Sequence, residues 1–236
     1  MVDPISVPQA AKALDLSPAR VRAMAASGQL EASKLGDRWF VERAAVERRR
    51  KNGAHHGRRF SPKNAWALLA LASGDELEQV DPSLRSRLRR AVGLEGVEGL
   101  GPRLAHRAEA FQYQAHPGEI SHLLEDPDIV RSGISAAGDL GLIAGREADG
   151  YLPASKLRAF SRRHALEPSG ADGNVRLRVV PDEAWRFLQG LKVAPRAAVA
   201  LDLAEEADPR SARAGQVALR ELDDRHRASQ RHRNRS

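Results

Sequence analysis

The chain has 236 residues, 42% of them hydrophobic and 29% charged, with ten aromatic residues and no cysteine. That length admits one large or two modest domains, each able to bury a core built mainly from Ala, Leu and Val, and the lack of cysteine excludes disulfides, thiolate metal sites and thiol nucleophiles. The net charge of +7 is uneven, since residues 1–63 hold 13 Lys/Arg against 6 Asp/Glu while residues 64–236 hold 25 of each. An excess confined to one module is an electrostatic footprint for phosphate. No apolar run is long enough to cross a bilayer and no signal peptide opens the chain, so a cytoplasmic protein without membrane contact is expected.

The first elements carry the strongest local signals. Ser6 and Gln9 have the spacing of a capping box, which predicts a short helix from Val7 with Ala10, Ala11 and Leu14 inward. Asp15-Leu16 is a turn. Ser17-Pro18 restarts a helix as N-cap and first helical residue, and Gly28 ends it in a left-handed conformation. At 100° per residue Val21, Met24 and Ala25 face inward, leaving Ala19, Ala23 and Ala26 outward between Arg20 and Arg22. A small-residue face edged by arginines allows close approach to a major groove, where arginine reaches phosphates or guanine edges and alanine touches thymine methyls. An alanine-rich solvated helix is the plainer alternative. Residues 30–35 and 38–41 then read as two strands about a Gly36-Asp37 hairpin turn, with Lys34 and Arg38 beside its tip, Arg38 able either to enter a minor groove or to hold a phosphate, and Trp39 and Val41 packing under the helices. A helix follows over 42–51 and ends in Arg48, Arg49, Arg50 and Lys51.

The run from Val7 to Val46, with Ser17-Pro18, Val21, Ser27-Gly28-Gln29-Leu30, Leu35-Gly36 and Arg38-Trp39, resembles the excisionase and MerR-type winged helix domains. The resemblance implies that the second helix enters the major groove and the wing contacts the neighbouring backbone. Carried over by position, Ser17, Arg20 and Arg22 are helix contacts and Lys34 and Arg38 wing contacts, with Ala19 and Ala23 on the approaching face.

Residues 52–59 (NGAHHGRR) are the expected hinge, in which Arg58 and Arg59 extend the basic stripe and His55-His56 supply at best two metal ligands. Ser61-Pro62 opens a helix through Ala72 with an apolar stripe of Ala65, Leu68, Leu69 and Ala72, Trp66 on its edge and Gly74 as its stop. Asp81-Pro82 caps a helix over 83–92 whose Arg85, Arg87, Arg89 and Arg90 read as solvated charge, followed by a Gly/Glu-rich loop to Gly101. Residues 108–115 form a strand broken by His116-Pro117-Gly118. A short helix runs through Leu123 and Leu124, 129–142 holds a turn and a small helix, and another helix spans 154–164. Residues 175–180 alternate as a half-exposed strand. An apolar helix covers 194–203, and Asp208-Pro209 caps a last one with Ala214, Val217, Ala218 and Leu222 on one side. The predicted fold is α+β and mainly α: a winged helix-turn-helix at 1–51, a basic linker at 52–59, a larger mixed helical domain at 60–224 and a basic disordered tail at 225–236.

The segments Val179-Val180-Pro181, Val193-Ala194-Pro195, Ala200-Leu201-Asp202-Leu203 and Asp208-Pro209-Arg210 with Ala214-Gly215 resemble the carboxy-terminal region of AbiEi-type antitoxins. That resemblance implies a bacterial antitoxin, encoded beside a nucleotidyltransferase-fold toxin, that represses its own operon through an amino-terminal winged helix. The excisionase-like front departs from many of them. No enzyme is expected. His116, Glu119 and His122 have a zinc-like spacing, but the His-Pro-Gly turn breaks their helical register, so capping and surface roles are expected. Asp202 in an apolar helix requires a partner, for which Arg210 is the candidate. Neither a phosphate loop, a nucleophile elbow nor a carboxylate pair is present. The expectation is therefore a cofactor-free, double-stranded-DNA-binding antitoxin and autorepressor, acting as a homodimer or as adjacent monomers on repeats, with a nucleotidyltransferase-like toxin as partner. The alternatives are an excisionase/MerR-like regulator or recombination directionality factor without a toxin, and a protein-binding adaptor.

Overall fold

The computed structural model describes residues 4–14, 16–26, 28, 30–36, 38–51, 59–143, 145–170 and 172–233, without the side chains of 48–51 and 230–233. It divides into two compact units, 1–58 and 59–236. The fold is α+β and mainly helical. Residues 52–58 of the expected linker lie outside the described residues, and Arg59 belongs to the second unit.

The first unit contains β1 (Pro4–Ser6), α1 (Val7–Leu14), α2 (Pro18–Ala26), β2 (Ala32–Leu35), β3 (Arg38–Glu42) and α3 (Arg43–Lys51). The capping box is formed: Gln9 Oε1 accepts from Ser6 N at 2.9 Å, and Ser6 Oγ accepts from Gln9 N at 3.4 Å. Ser17 Oγ accepts from Arg20 N at 3.2 Å and starts α2. Gly28 (φ +72°) closes that turn. β1 was not anticipated; three residues are too few to alternate visibly. It completes an antiparallel sheet of order β1-β3-β2 in which Ile5 pairs with Val41, both buried. That sheet face, Val7, Ala10, Ala11 and Leu14 of α1, Val21 and Met24 of α2, and Ala45 and Val46 of α3 make a core that belongs to this unit alone.

The second unit runs through α4 (Pro62–Ser73), α5 (Pro82–Leu104), β4 (Glu109–Gln114), α6 (Ile120–Glu125), β5 (Val130–Arg131), β6 (Ala148–Pro153), α7 (Leu157–Arg163), β7 (Glu167–Pro168), β8 (Val175–Val180), α8 (Asp182–Trp185), α9 (Arg196–Ala204) and α10 (Pro209–Arg233). Its sheet has the order β5-β6-β8-β4-β7, parallel between β6 and β8 and otherwise antiparallel. One face, through Ala148, Leu152, Val175 and Leu177, packs with Ile120 and Leu123 of α6 and Phe160 of α7. A second cluster joins α4, α5, α9 and α10. Trp66, expected at the edge of α4, is fully buried there, its ring edge-on to Tyr151 at 4.7 Å and its Nε1 donating to Arg107 O at 2.9 Å.

Several expectations for this unit are corrected. The Gly/Glu-rich stretch after Val92 is helix and not loop, with a single break at Gly96 (φ 71°, ψ 166°). Asp223 caps the restart by accepting from Val97 N at 2.8 Å, and any Cβ at Gly96 would collide with that carboxylate. On α10 the buried side is Ala218, Leu219 and Leu222, while Val217 is 47% exposed, so the apolar stripe is turned from the expected one. The helix also runs on to Arg233, where a disordered tail was expected from residue 225.

β8 is not half-exposed. Its Arg176 and Arg178 stand on the second sheet face with Asp149 and Tyr151 of β6, beneath α9. Asp202 of α9, completely buried, lies 2.7 Å from Arg107 and 3.2 Å from Arg178, accepts from Tyr151 Oη at 2.8 Å and accepts a short bond from Ser132 Oγ. The expected partner, Arg210, instead reaches Gly141 O at 3.4 Å. Burial alone would raise the Asp202 carboxyl, but the charges of Arg178 and Arg107 and the Ser132 hydroxyl hold it below its ordinary value. Asp149 takes two bonds of 2.9 Å from Arg178, yet burial still pushes its carboxyl upward. Both oxygens of Asp202 are engaged and the residue is completely buried, so this centre joins α9 to the sheet.

Asp202→Ala should cost about 3–5 kcal/mol, because it removes the carboxylate that two buried guanidinium groups share and leaves Arg107 to Glu205 and Arg178 to Asp149. Urea unfolding followed by circular dichroism measures this, and a loss below about 1 kcal/mol would mean that the network is not what holds α9 in place.

Candidate nucleic-acid interface

The outward side of α2 follows from its inward one. Val21, Met24 and Ala25 are buried, so Ala19, Ala23 and Ala26 form an exposed floor about 60° wide, with Arg20 on one flank and Arg22 on the other. Methyl groups keep the floor low enough for the helix backbone to approach a partner closely. Both arginines are exposed, and neither forms an ion pair among the described residues. Ser17 is exposed as well; its oxygen lone pair caps the helix, and its O–H is left to donate outward.

The second part is the β2–β3 hairpin. Leu35 pairs with Arg38 and Lys34 with Trp39, which makes a two-residue turn whose first member, Gly36, has φ +61°. Asp37 lies outside the described residues. Strand alternation sends Lys34 to the face of Ala32, Trp39 and Val41, and Arg38 to the opposite face with Leu35 and Phe40. Trp39 packs on the core as expected. The two basic side chains are both exposed and straddle the hairpin tip.

Ser17, Ala19, Arg20, Arg22, Ala23, Lys34 and Arg38 thus all belong to the exposed surface of one compact unit. Arg48, Arg49 and Arg50 continue α3 in the backbone, but their side chains lie outside the described residues, as does all of Arg58. Arg59 is exposed at the start of the second unit, with Nη1 2.6 Å from Nε2 of His106. The sequence reading overlooked Leu35 as a surface residue. It is 76% exposed at the hairpin tip, and its strand register, opposite Arg38 and out of phase with Val41, was the available signal.

The histidines of the second unit serve a cap and ion pairs. His116 caps a turn by accepting from Gly118 N at 3.2 Å, and His122 is 73% exposed and 3.7 Å from Glu119. Glu119 turns to His164, a buried residue with Nδ1 at 2.7 Å from it and Nε2 at 2.9 Å from Asp126; Arg163 also binds Asp126 and reaches Asp128 at 3.1 Å. Among the described residues no group of three His, Asp or Glu side chains is arranged to hold a metal.

Residues 5–53 match the model of a helix-turn-helix domain family. The amino-terminal unit is accordingly a helix-turn-helix of the DNA-binding kind, and the match stops before the second unit begins. No curated protein and no solved structure matches the chain. Among the described residues no helix is long and apolar enough to cross a membrane.

The His164 cluster gives a dependence on pH. The hydrogen bond to His164 holds the Glu119 carboxyl below its ordinary 4.5; burial works against Asp126, but bonds from Asp128 N, His164 and Arg163 hold it below 3.8. Lowered folded-state values mean that the unfolded chain takes up these protons first, so their contribution is complete above about pH 5 and lost on further acidification. Glu119→Gln should therefore flatten the fall of the urea midpoint between about pH 5 and pH 3; a fall as steep as in the unmodified protein would show that the pair contributes nothing.

Proposed function

We propose that the chain is a sequence-specific, double-stranded-DNA-binding regulator with no catalytic activity. The observation that carries this reading is the exposed alanine floor of α2 between Arg20 and Arg22, next to a hairpin tipped by Lys34 and Arg38, in the part of the chain that holds all of its net positive charge. In this reading α2 occupies the major groove, with Ala19 and Ala23 against bases and Ser17, Arg20 and Arg22 on phosphates or guanine edges, while the hairpin follows the adjoining backbone. One such module reads only a few base pairs, so two copies act together on a palindrome or repeat.

For the second unit we propose an antitoxin role, with a nucleotidyltransferase-like toxin as partner and repression of the shared operon in the cytoplasm. The support is the AbiEi-like pattern around Ala200-Leu201-Asp202-Leu203 and Asp208-Pro209-Arg210. In the fold these segments form α9 and the start of α10. A unit of this size, with its own polar centre, is also more than a recombination directionality factor needs.

Fluorescence anisotropy against the chain's own upstream DNA tests the first proposal. Log affinity should fall linearly with log salt, each neutralised phosphate contributing about 0.9 to the slope. Arg20→Ala with Arg22→Ala should lower the slope by about two if both meet phosphate, or cost about 1–3 kcal/mol each at unchanged slope if they read guanine. Affinity and slope identical to the parent would refute the assigned interface. For the antitoxin role, the same double variant should lose repression yet still rescue cells that express the neighbouring gene. Growth arrest that the chain does not relieve would refute it.

A further inference from the structure

We infer that Leu35 is an apolar probe of the DNA minor groove, which makes the base pairs flanking the α2 site selective for A·T. The inference rests on the DNA-binding reading and adds to it a specificity-determining residue of a different chemical kind.

Leu35 closes β2 and is 76% exposed, on the hairpin face turned away from the core. The apolar face of the hairpin is the other one, where Ala32, Trp39 and Val41 meet the core. On the outward face Leu35 sits across from Arg38, with half-buried Phe40 one diagonal step behind it. The turn is open on the side of Gly36, where a built Cβ would find no atom within 4 Å. The molecule therefore presents a branched aliphatic group at the end of a narrow two-stranded projection, between an ammonium group on one face and a guanidinium on the other. The flanking cations, in a region holding 13 Lys/Arg against 6 Asp/Glu, select a polyanion.

The shape fits the smaller groove. At about 6 Å wide the minor groove excludes a helix, but the end of a hairpin can place one or two side chains in it. Its A·T floor carries only N3 and O2 acceptors, whereas G·C adds the guanine 2-amino group projecting into the groove. A leucine there meets that amino group sterically and covers a donor it cannot satisfy, which is costly. A narrow A·T groove also deepens the negative potential that draws in Arg38, and apolar side chains inserted between base steps occur widely among minor-groove readers. The phosphates hold the tip in place and Leu35 reads the floor.

The test begins with sites selected by the full-length protein from a library of random 30-base-pair duplexes. At A·T pairs next to the helix-contacted core, G·C is substituted in one series and inosine·C, which lacks the 2-amino group, in another. The intact protein should bind the G·C sites about tenfold more weakly and the inosine sites nearly as well as the originals. Leu35→Ala and Leu35→Ser, whose exposure predicts unchanged thermal unfolding, should bind the original site more weakly at the same salt slope and lose the distinction between G·C and inosine·C. Arg38→Ala should lower the slope while keeping the distinction. Retained discrimination in the Leu35 variants, or equal loss with G·C and inosine·C, overturns the inference and leaves DNA binding intact. Failure of the intact protein to enrich any sequence overturns both.

Discussion

A carboxylate at zero exposure is tolerated only if the protein supplies what water would have given it. Asp202 receives Arg107 from the turn after α5, Arg178 from β8, a phenol from β6 and a hydroxyl from Ser132. Four separated stretches of chain must therefore arrive together, and the way the larger unit closes follows from that requirement. The sheet can bury both faces because its second face is charge-matched where it is not apolar. Asp149 answers Arg178 from the neighbouring strand, and Glu205 and Glu206, just past the end of α9, answer Arg107 and Arg176. Such a centre adds little net stability over a well-packed apolar one, but it tolerates no partial assembly.

The smaller unit obeys a different constraint. With so few residues, each boundary must be set locally, and it is: a reciprocal cap at Ser6 and Gln9, a serine-proline start at α2, and positive φ at Gly28 and Gly36. These devices need only neighbours in sequence, which is why the helices, the hairpin and the outward face of α2 could all be read before the fold was known. β1 escaped because three residues carry no period, although its pairing of Ile5 with Val41 completes the core.

The larger unit was legible only in outline, for a physical reason. Alternation along 175–180 suggests a strand with one wet face, since arginine seldom goes inside unpaired. Its partners are Asp149 and Asp202, 29 and 24 residues from Arg178, and Arg107 is farther still. No window of local sequence contains that compensation. β6, with Asp149, Gly150 and Tyr151 at its centre, matches neither a wet nor a dry strand pattern for the same reason. Small residues misled in the opposite sense. The glycines after Val92 suggested a loop, yet Gly101 lies in helix against Leu201, and Gly215 lets α10 approach α9 so closely that a Cβ would lie 2.6 Å from Ala200 O.

The break at Gly96 ties two distant stretches of the polypeptide together. The helix that restarts at Val97 has no capping side chain of its own and borrows one from Asp223, 126 residues downstream. A ribosome must add 126 residues after Val97 before this half-helix can acquire its lid, so the interior around Leu100 and Leu104 waits for α10. A protease that cut α10 on the amino-terminal side of Asp223 would, in turn, remove a keystone from the middle of the unit.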